Sequence, residues 1–228
     1  MIDEIQKHFT DEYPREGCGI IGVVKGKKRW FPCKNVATDN DDFIMSSEDW
    51  FSIKNKADII AIVHSHPDEE NTASPSDIAN CNALGIPYYI FSYPDMELNI
   101  LEPKTLAYPL IGREYKFGER DCFEAMRDYL SSQDIEIPAR AMFEDNWWEK
   151  DLDYFNEETI SEWGFKKVTE PKQNDLLIFQ MNEAVGDHCG VYLGNDIFFH
   201  HAENRLSCRE SLYPLWGKHI IGIYRHEA

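Results

Sequence analysis

Basic residues are scarce in this chain. Its 228 residues include 23 Lys and Arg against 41 Asp and Glu, which gives a formal net charge of -18 at pH 7. Without a basic stripe, a protein has little with which to neutralise nucleic-acid phosphates or to dock on an anionic membrane surface. The composition therefore predicts no nucleic-acid partner and favours a protein or a small polymer instead.

Long apolar runs, paired cysteines and a secretion signal are also missing. The longest apolar runs reach about six residues, whereas roughly twenty are needed to cross a bilayer, so no membrane insertion is expected. The first eight residues are acidic and amphipathic rather than basic and then apolar, which predicts synthesis in, and initial residence in, a cytoplasm. The six cysteines form no CxxC pair, and in a reducing compartment we expect most of them to be buried thiols.

The first half of the chain alternates between strand and helix patterns. An apolar content of 43% with 13% aromatic residues is typical of a globular protein. The patterns predict helices over 2–12, 46–56 and 74–84, the last closed by Gly85, and strands over 18–24, 29–33, 59–64, 88–93 and 98–101, with a turn at 26–28 between the first two. These elements predict an α/β sheet domain.

The second half starts a new series of elements after a proline-containing stretch at 102–109. We expect a helix over 123–130, a helical acidic and aromatic segment over 131–165, and strands over 176–179, 189–193, 197–201 and 220–224. The aromatic residues of that segment include Trp147, Trp148, Tyr154, Phe155 and Trp163. The prediction is an α/β (α+β) protein with two domains, 1–106 and 107–228.

Two histidines, His64 and His66, follow the apolar run of the predicted 59–64 strand. Because alternate residues of a strand project from the same face, His64 and His66 can share a metal ion. Asp77, at the start of the next predicted helix, can add a carboxylate oxygen, and such a set leaves the fourth position of tetrahedral zinc open, as in catalytic sites. Ser74 and Asp77 also fit a plain helix cap, with Pro75 at the first helical position. Both readings stay open.

A thiol and two further histidines form a second candidate site. Cys122 lies at the start of the 123–130 helix, where the macrodipole favours a thiolate. If the two strands around Gly194 form a hairpin centred on that glycine, His188 and His200 lie opposite each other on one face, and His201 points to the other. The arrangement of thiol, histidine and orienting group activates a nucleophile. The alternative is a buried structural cysteine.

The spacing His64-x-His66, seven residues, Ser74-x-x-Asp77 resembles the signature of JAMM (MPN+) metalloproteases, over residues 1 to about 105. The resemblance implies a mixed sheet flanked by helices, a Zn2+ cofactor held by His64, His66 and Asp77, and cleavage of a peptide or isopeptide bond. It further implies that Glu16, within residues 14–19, is the general base and that the Ser74 hydroxyl helps to stabilise the oxyanion.

Residues 108–228 resemble NlpC/P60 cysteine peptidases. The matching residues are Asp121-Cys122, the run from His188 to Gly194, and His200. The resemblance implies a papain-like fold with an antiparallel sheet, catalysis by Cys122, His188 and His200, and a contribution of Tyr115 to oxyanion binding. The chain departs from the family pattern in the length of segment 131–165, in Asn174 where glycine is usual, and in the short spacing from Tyr115 to Cys122.

A JAMM domain followed directly by an NlpC/P60 domain resembles the tail tip assembly proteins of long-tailed phages, of the K type. That resemblance implies other tail tip proteins as partners, peptidoglycan stem peptides as substrate of the second domain, and a location in the host cytoplasm during assembly and then at the virion tail tip. Two alternatives remain: a structural or chaperone component of the tail tip with dispensable sites, and a cellular deubiquitinase-like or wall-remodelling hydrolase.

Overall fold

The structure, a computed structural model, describes residues 1–40, 42–139, 153–181 and 184–227. The chain divides into two compact units, Met1–Ile111 and Gly112–Ala228. The domain boundary that the sequence suggests, after residue 106, stays a proposal. Among the described residues, no helix has the length and apolar character required to span a membrane.

The first unit contains a mixed five-stranded sheet. The strand order is β2-β1-β3-β4-β5, in which β3 and β4 run parallel and the other pairs are antiparallel. The elements are α1 (Ile2–Glu12), β1 (Cys18–Val24), β2 (Lys27–Cys33), α2 (Ser47–Lys54), β3 (Asp58–Pro67), α3 (Pro75–Leu84), β4 (Tyr88–Tyr93) and β5 (Leu98–Leu101).

Strand β3 is buried on both faces because it lies in the middle of this sheet. On one face Ile62 packs with residues of α2 and α3, and on the other Val63 packs with Ile5 and Phe9 of α1. Since His64 follows Ile62 at the strand period of two, its side chain lies on the face that α3 covers. The predicted central strand therefore aims its histidines at the predicted helix start.

Helix α3 begins and ends as its sequence predicts. The Ser74 side chain accepts a hydrogen bond from the backbone N–H of Asp77, and the Asp77 side chain accepts one from the backbone N–H of Ser74. Gly85 ends the helix in the left-handed conformation, with φ at 65°, which costs a residue without a side chain little. The cap thus brings Asp77 to the first turn of α3.

The second unit contains a six-stranded antiparallel sheet with the order β10-β9-β8-β7-β11-β6. Its core joins Phe123, Met126 and Leu130 of the first helix to the inner faces of β7 and β8. The elements are α4 (Cys122–Ser131), α5 (Glu157–Glu162), β6 (Phe165–Lys167), β7 (Leu176–Phe179), β8 (His188–Gly194), β9 (Ile197–His200), β10 (Cys208–Ser211) and β11 (Ile220–His226).

The mixed α/β (α+β) fold class and the two sheet types are confirmed, but several local predictions are wrong. The turn before β2 is formed by Lys25 and Gly26, both with positive φ, rather than by residues 26–28. Strands β6 and β10 were not predicted. In segment 131–165, residues 132–139 are not helical and α5 is short, while Trp147 and Trp148 lie outside the described residues.

The hairpin of β8 and β9 differs from its predicted register. Its turn is Asn195-Asp196, and a bulge between Tyr192 and Gly194 shifts the pairing, so that His200 lies opposite Gly190. His188 and His200 are therefore diagonal neighbours on one face, not directly opposite residues. Diagonal pairs remain within reach of each other's side chains.

Gly190 leaves the space that this diagonal contact needs. A Cβ atom at position 190 would lie 2.8 Å from the carbonyl oxygen of Phe199 and 3.2 Å from the Cβ of His200. A real side chain there would force the two strands apart, because a backbone oxygen cannot move away independently of its strand.

We expect Gly190→Ala to lower the free energy of unfolding of the second unit by about 1–3 kcal/mol, the usual cost of overpacking a core. Urea denaturation followed by circular dichroism measures the change. Glu203→Ala, in the exposed turn after β9, is the control and should leave stability within about 0.5 kcal/mol. Equal stabilities of the two variants would contradict this account.

Candidate active sites

Three side chains of the first unit converge at one point. His64 and His66 come from β3 and Asp77 from the first turn of α3. The Nε2 atoms of the two histidines are 3.1 Å apart, and Asp77 places Oδ1 at 3.2 Å from His64 Nε2 and Oδ2 at 3.7 Å from His66 Nε2. All three residues are buried.

These distances fit a tetrahedral metal ion. Zinc binds histidine nitrogen and carboxylate oxygen at about 2.0–2.1 Å, so two ligand atoms of a tetrahedral site lie about 3.3 Å apart. The separations from His64 Nε2 to His66 Nε2 and to Asp77 Oδ1 are within about 0.2 Å of that length, and one ligand atom from each of the three residues lies within 4.8 Å of the other two. Two histidine nitrogens and a carboxylate oxygen are a donor set that zinc accepts.

Different contacts orient the two histidines. His66 Nδ1 lies 2.9 Å from the carbonyl oxygen of Glu70, which holds the ring in place and leaves Nε2 for a ligand. His64 Nδ1 is buried and has no hydrogen-bond partner among the residues described. The His64 ring is held by packing instead: it stacks on Phe43 with centroids 4.6 Å apart and meets the edge of Tyr88.

Burial and neighbouring charges shift the pKa values of all three residues. Burial lowers the pKa of His64. Burial also opposes charge on His66, but the carboxylate of Asp77 and the carbonyl of Glu70 raise the pKa of His66 overall. Burial alone would raise the pKa of Asp77, but hydrogen bonds to the two imidazoles hold this pKa well below its usual range. The carboxylate is therefore ionised and available as a ligand.

Glu16 is brought to the same cluster by the loop before β1. Its Oε1 lies 3.9 Å from His66 Nε2, and its side chain is buried. The loop is tied to β3 because the N–H of Gly17 donates to Ser65 Oγ at 2.9 Å. Ser65 lies between the two histidines in sequence and faces the other way, so one strand carries both the ligands and the anchor of Glu16.

Asn35 connects the Glu16 loop to the loop that carries Phe43. Its amide nitrogen donates to the carbonyls of Glu16 and Asp42, and its amide oxygen accepts from the N–H groups of Ala37 and Ile44. Asn35 is 1% exposed, so its amide group takes these four protein partners in place of water. The sequence carried no signal for this residue beyond its being a polar residue after a strand.

A strongly acidic cavity of about 660 Å³ opens beside the cluster of His64, His66 and Asp77. Ser74 and Phe43 line it, together with Glu16, Asp42, His66, Asp68, Glu69, Glu70, Thr72 and Asp77. The Ser74 hydroxyl donates to Asp77 Oδ2 at 2.8 Å and accepts from the Asp77 N–H at 3.1 Å. Ser74 is thus a helix cap in this structure, and its predicted contact with an oxyanion stays a prediction.

Cys122 is the first residue of α4, as predicted. Asp121 caps the helix by accepting from the N–H groups of Phe123 and Glu124, and its other oxygen accepts from Gly118 at 2.7 Å. A hydrogen bond with Cys189 has the largest effect on the pKa of Cys122, and a hydrogen bond with His188 adds to it. Together they lower this pKa to about 5, although burial alone would raise it. Cys189 faces the core beneath α4 and was not predicted to touch the nucleophile.

His188 and His200 form the predicted pair. His188 Nε2 lies 2.9 Å from His200 Nδ1. Burial lowers the pKa of His200 to about 3, so its ring is neutral near pH 7. Trp216 packs against both rings, with centroids 5.3 Å from His188 and 4.6 Å from His200, and is itself buried. This wall excludes water from the contact between the two imidazoles.

Two charged residues that sequence reasoning missed lie beyond His200. Glu210 of β10 places Oε2 at 3.3 Å from His200 Nε2, and Arg205 donates to the same oxygen at 2.6 Å. Burial would raise the pKa of Glu210, but its hydrogen bonds to His200 and Arg205 lower it to about 2. Sequence reasoning could have identified Glu210 only if strand β10 had been predicted.

Tyr115 packs against His201 rather than His200. The two rings meet edge to face, with centroids 5.3 Å apart. His201 directly follows the last residue of β9 and is buried, and its Nε2 is 3.2 Å from the carbonyl oxygen of Arg205. The part of Tyr115 in oxyanion binding stays a prediction.

Comparison with known families assigns a type to each unit. Residues 1–102 match the profile described as prokaryotic homologs of the JAB domain, and residues 112–225 match that of the NlpC/P60 family. The class is therefore a two-domain protein that joins a JAB-like unit to an NlpC/P60 unit.

Full-length relatives narrow this class. The chain is 32% identical to the tail tip assembly protein K of Escherichia phage N15, over 99% of this chain and 94% of that protein. It is 26% identical to the tail tip assembly protein K of Escherichia phage lambda, over 81% of this chain and 90% of that protein. The chain belongs to the family of tail tip assembly protein K.

Among solved structures, the chain is similar to an NLP/P60 family protein from Staphylococcus aureus. The sequence identity is 20% and the TM-score is 0.36, and the match covers 52% of this chain and 38% of that chain.

We expect iodoacetamide to alkylate Cys122 with a midpoint at about pH 5, the pKa that its hydrogen bonds to Cys189 and His188 produce. Below this pH the rate should fall, because the thiolate is the nucleophile. Burial raises the pKa of Cys33 to about 12 and also raises those of Cys18 and Cys81. Cys122 should therefore react well ahead of these three.

Peptide mapping by mass spectrometry after labelling at a series of pH values measures the midpoint. Cys122→Ser is the control, in which the peptide that is alkylated at low pH should be missing. His188→Ala should raise the midpoint by more than about one pH unit. A wild-type midpoint near the ordinary thiol value of about 8.5 would contradict the structure.

Proposed function

We propose that this chain is a phage tail tip protein with two peptidase sites. The second unit would be a cysteine endopeptidase that cuts stem peptides of the bacterial cell wall, and the first a zinc-dependent peptidase or isopeptidase. The relatives that share nearly the whole chain are named tail tip assembly proteins. The proposed partners are other tail tip proteins, and the proposed locations are the host cytoplasm during assembly and then the virion tail tip.

The observation that carries the cysteine peptidase proposal is the convergence of Cys122, His188 and His200. A thiol whose pKa is about 5 is ionised near pH 7, and a neutral, buried second histidine orients the first. In the proposed reaction the Cys122 sulfur attacks the peptide carbonyl, and the protonated His188 gives its proton to the leaving amine. Water then releases the acyl group from the sulfur.

The proposal for the first unit rests on the fit of His64, His66 and Asp77 to a tetrahedral ion. A zinc ion held there would supply Lewis-acid chemistry for amide hydrolysis. Glu16, with Oε1 3.9 Å from His66 Nε2, would accept a proton from water and pass it to the leaving amine. Ser74 lines the same cavity, from which its hydroxyl would reach the oxyanion.

Metal analysis tests the first unit. Protein purified without chelator should hold about one zinc per chain, and His64→Ala and Asp77→Asn should each lose most of it, because three protein ligands are the usual minimum for a catalytic zinc site. Elemental analysis by mass spectrometry measures the content. His8→Ala, which removes a histidine of the same unit outside the cluster, is the control. Wild-type protein that holds no zinc would overturn the proposal for this unit.

Digestion of purified peptidoglycan tests the second unit. The wild type should release muropeptides, and Cys122→Ala should reduce their release by at least about a thousandfold, as expected when a nucleophile is removed. His64→Ala should leave the release unchanged, because its site is in the other unit. Chromatography of the products measures both. If Cys122→Ala does not reduce the release of muropeptides, the wall-cleaving assignment fails.

The printed names of the relatives favour a second candidate, a structural role in tail tip assembly. In that case Glu16→Gln and Cys122→Ala, introduced into the phage, would leave the yield of infective particles unchanged. Reduced yield with either variant, despite normal folding, favours the enzymatic proposal. Particle counts by electron microscopy show whether a loss of yield reflects assembly or a later step.

A further inference from the structure

Buried polar contacts continue past His200 to the neighbouring strand. We propose that Glu210, held by Arg205, is a positioning residue that selects the tautomer of His200 and thereby makes His188 the proton acceptor for Cys122. This inference rests on the proposed thiol peptidase function of the second unit. It adds to the Cys122, His188 and His200 set a fourth residue that touches neither the substrate nor the sulfur.

The register of β9 and β10 brings Glu210 to His200. Cys208 lies directly opposite His200, and Glu210 is two residues further along the same strand. Both β10 side chains therefore lie on the face that carries His200. The side chain of His200 is 0% exposed and that of Glu210 is 8% exposed, so their contact at 3.3 Å is made away from bulk water.

The hydrogen-bonding capacities of these groups leave one arrangement of protons. An ionised carboxylate only accepts hydrogen bonds, so His200 must donate from Nε2 and keep its lone pair on Nδ1. His200 Nδ1 is 2.9 Å from His188 Nε2, which must then be the donor of that contact. The lone pair of His188 consequently lies on Nδ1, the nitrogen left to accept the proton of Cys122.

The same arrangement persists when the proton moves. Transfer from the Cys122 sulfur to His188 Nδ1 produces a thiolate and an imidazolium, with no net change of charge. His188 Nε2 remains a donor to His200 throughout, and His200 does not have to change its tautomer. The contact from Glu210 to His200 is thus compatible with Cys122 both as a thiol and as a thiolate.

A competing neighbour of His200 would select the opposite tautomer. Cys208 Sγ lies 3.8 Å from the same Nε2 atom, and a thiol that donated there would move the ring proton of His200 to Nδ1. His188 Nε2 would then be the acceptor, and its own proton would occupy Nδ1, where Cys122 needs a lone pair. A hydrogen bond to a charged carboxylate is about twice as strong as one between neutral groups, which favours Glu210.

Arg205 keeps Glu210 in its ionised form. Its Nη2 donates to Glu210 Oε2 at 2.6 Å, and its guanidinium lies 6.0 Å from the ring centre of Trp216. The positive charge favours the ionised carboxylate. It also opposes a cation between His200, Cys208 and Glu210, whose ligand atoms are close enough together to hold a metal ion.

The tautomer can be read directly in the wild type by long-range ¹H–¹⁵N correlation NMR of the histidine rings near pH 7. We expect His200 to carry its proton on Nε2 and to have an unprotonated Nδ1. A proton on Nδ1 would overturn the proposal. This measurement does not depend on peptidase activity, so the proposal and the wall-cleaving function can fail separately.

Substitutions test the effect on the nucleophile. Glu210→Gln keeps the shape but loses the charge and the obligatory acceptor, and should raise the alkylation midpoint of Cys122 by about one pH unit, a roughly tenfold slower reaction below both midpoints. Cys208→Ala, which removes the other neighbour of His200 Nε2, should leave the midpoint unchanged. Glu210→Asp, which keeps the charge, should raise the midpoint less than Glu210→Gln does.

Near-ultraviolet circular dichroism checks that each variant is folded. An unchanged midpoint in folded Glu210→Gln, or a larger shift in Cys208→Ala than in Glu210→Gln, would overturn the proposal. If Glu210→Gln does not fold, the wild-type NMR measurement still decides between the two tautomers.

Discussion

The two-residue period of the β-strand is the constraint on which both candidate sites depend. On β3 it turns His64 and His66 to one face and Ser65 to the other, where Ser65 anchors the loop of Glu16. In the second unit it places His188 and His200 on one face of the sheet, with Glu210 of the next strand beside them. Polar groups that would repel or compete in solution are therefore held at fixed distances by the backbone ladder.

A helix start completes each site. Asp77 lies in the first turn of α3 and Cys122 is the first residue of α4. At a helix N-terminus the unpaired N–H groups and the macrodipole favour a negative charge, so both a carboxylate ligand and a thiolate are stabilised there. The capping residues have a second effect, because Ser74 holds Asp77 and Asp121 holds the loop at Gly118. The cap and the reactive group are parts of the same local structure.

Burial of so many polar groups costs free energy unless each has a partner. Asn35 meets this requirement in the first unit by making four hydrogen bonds to backbone groups outside the named strands. Arg205 does the same in the second, where it balances Glu210 next to a neutral His200. Phe43 and Trp216 pack against the histidine rings and keep water from these contacts. Substitution of such residues would disturb the sites without removing any group proposed to react.

The sequence alone determined what depends on short spacing. It placed His64 and His66 on one face of a strand, and it predicted the Ser74 cap, Cys122 at a helix start and the pairing of His188 with His200, because each depends on residues a few positions apart or on one hairpin. Only the tertiary structure decided the rest. The bulge before Gly194 made His188 and His200 diagonal neighbours, and Cys-Arg-Glu-Ser at 208–211 has no apolar alternation to announce the strand that carries Glu210. Asn35 and Phe43 reach the cluster of His64, His66 and Asp77 through loops. The physical reason is that strand register and loop packing are set by contacts distant in sequence, which local periodicity does not record.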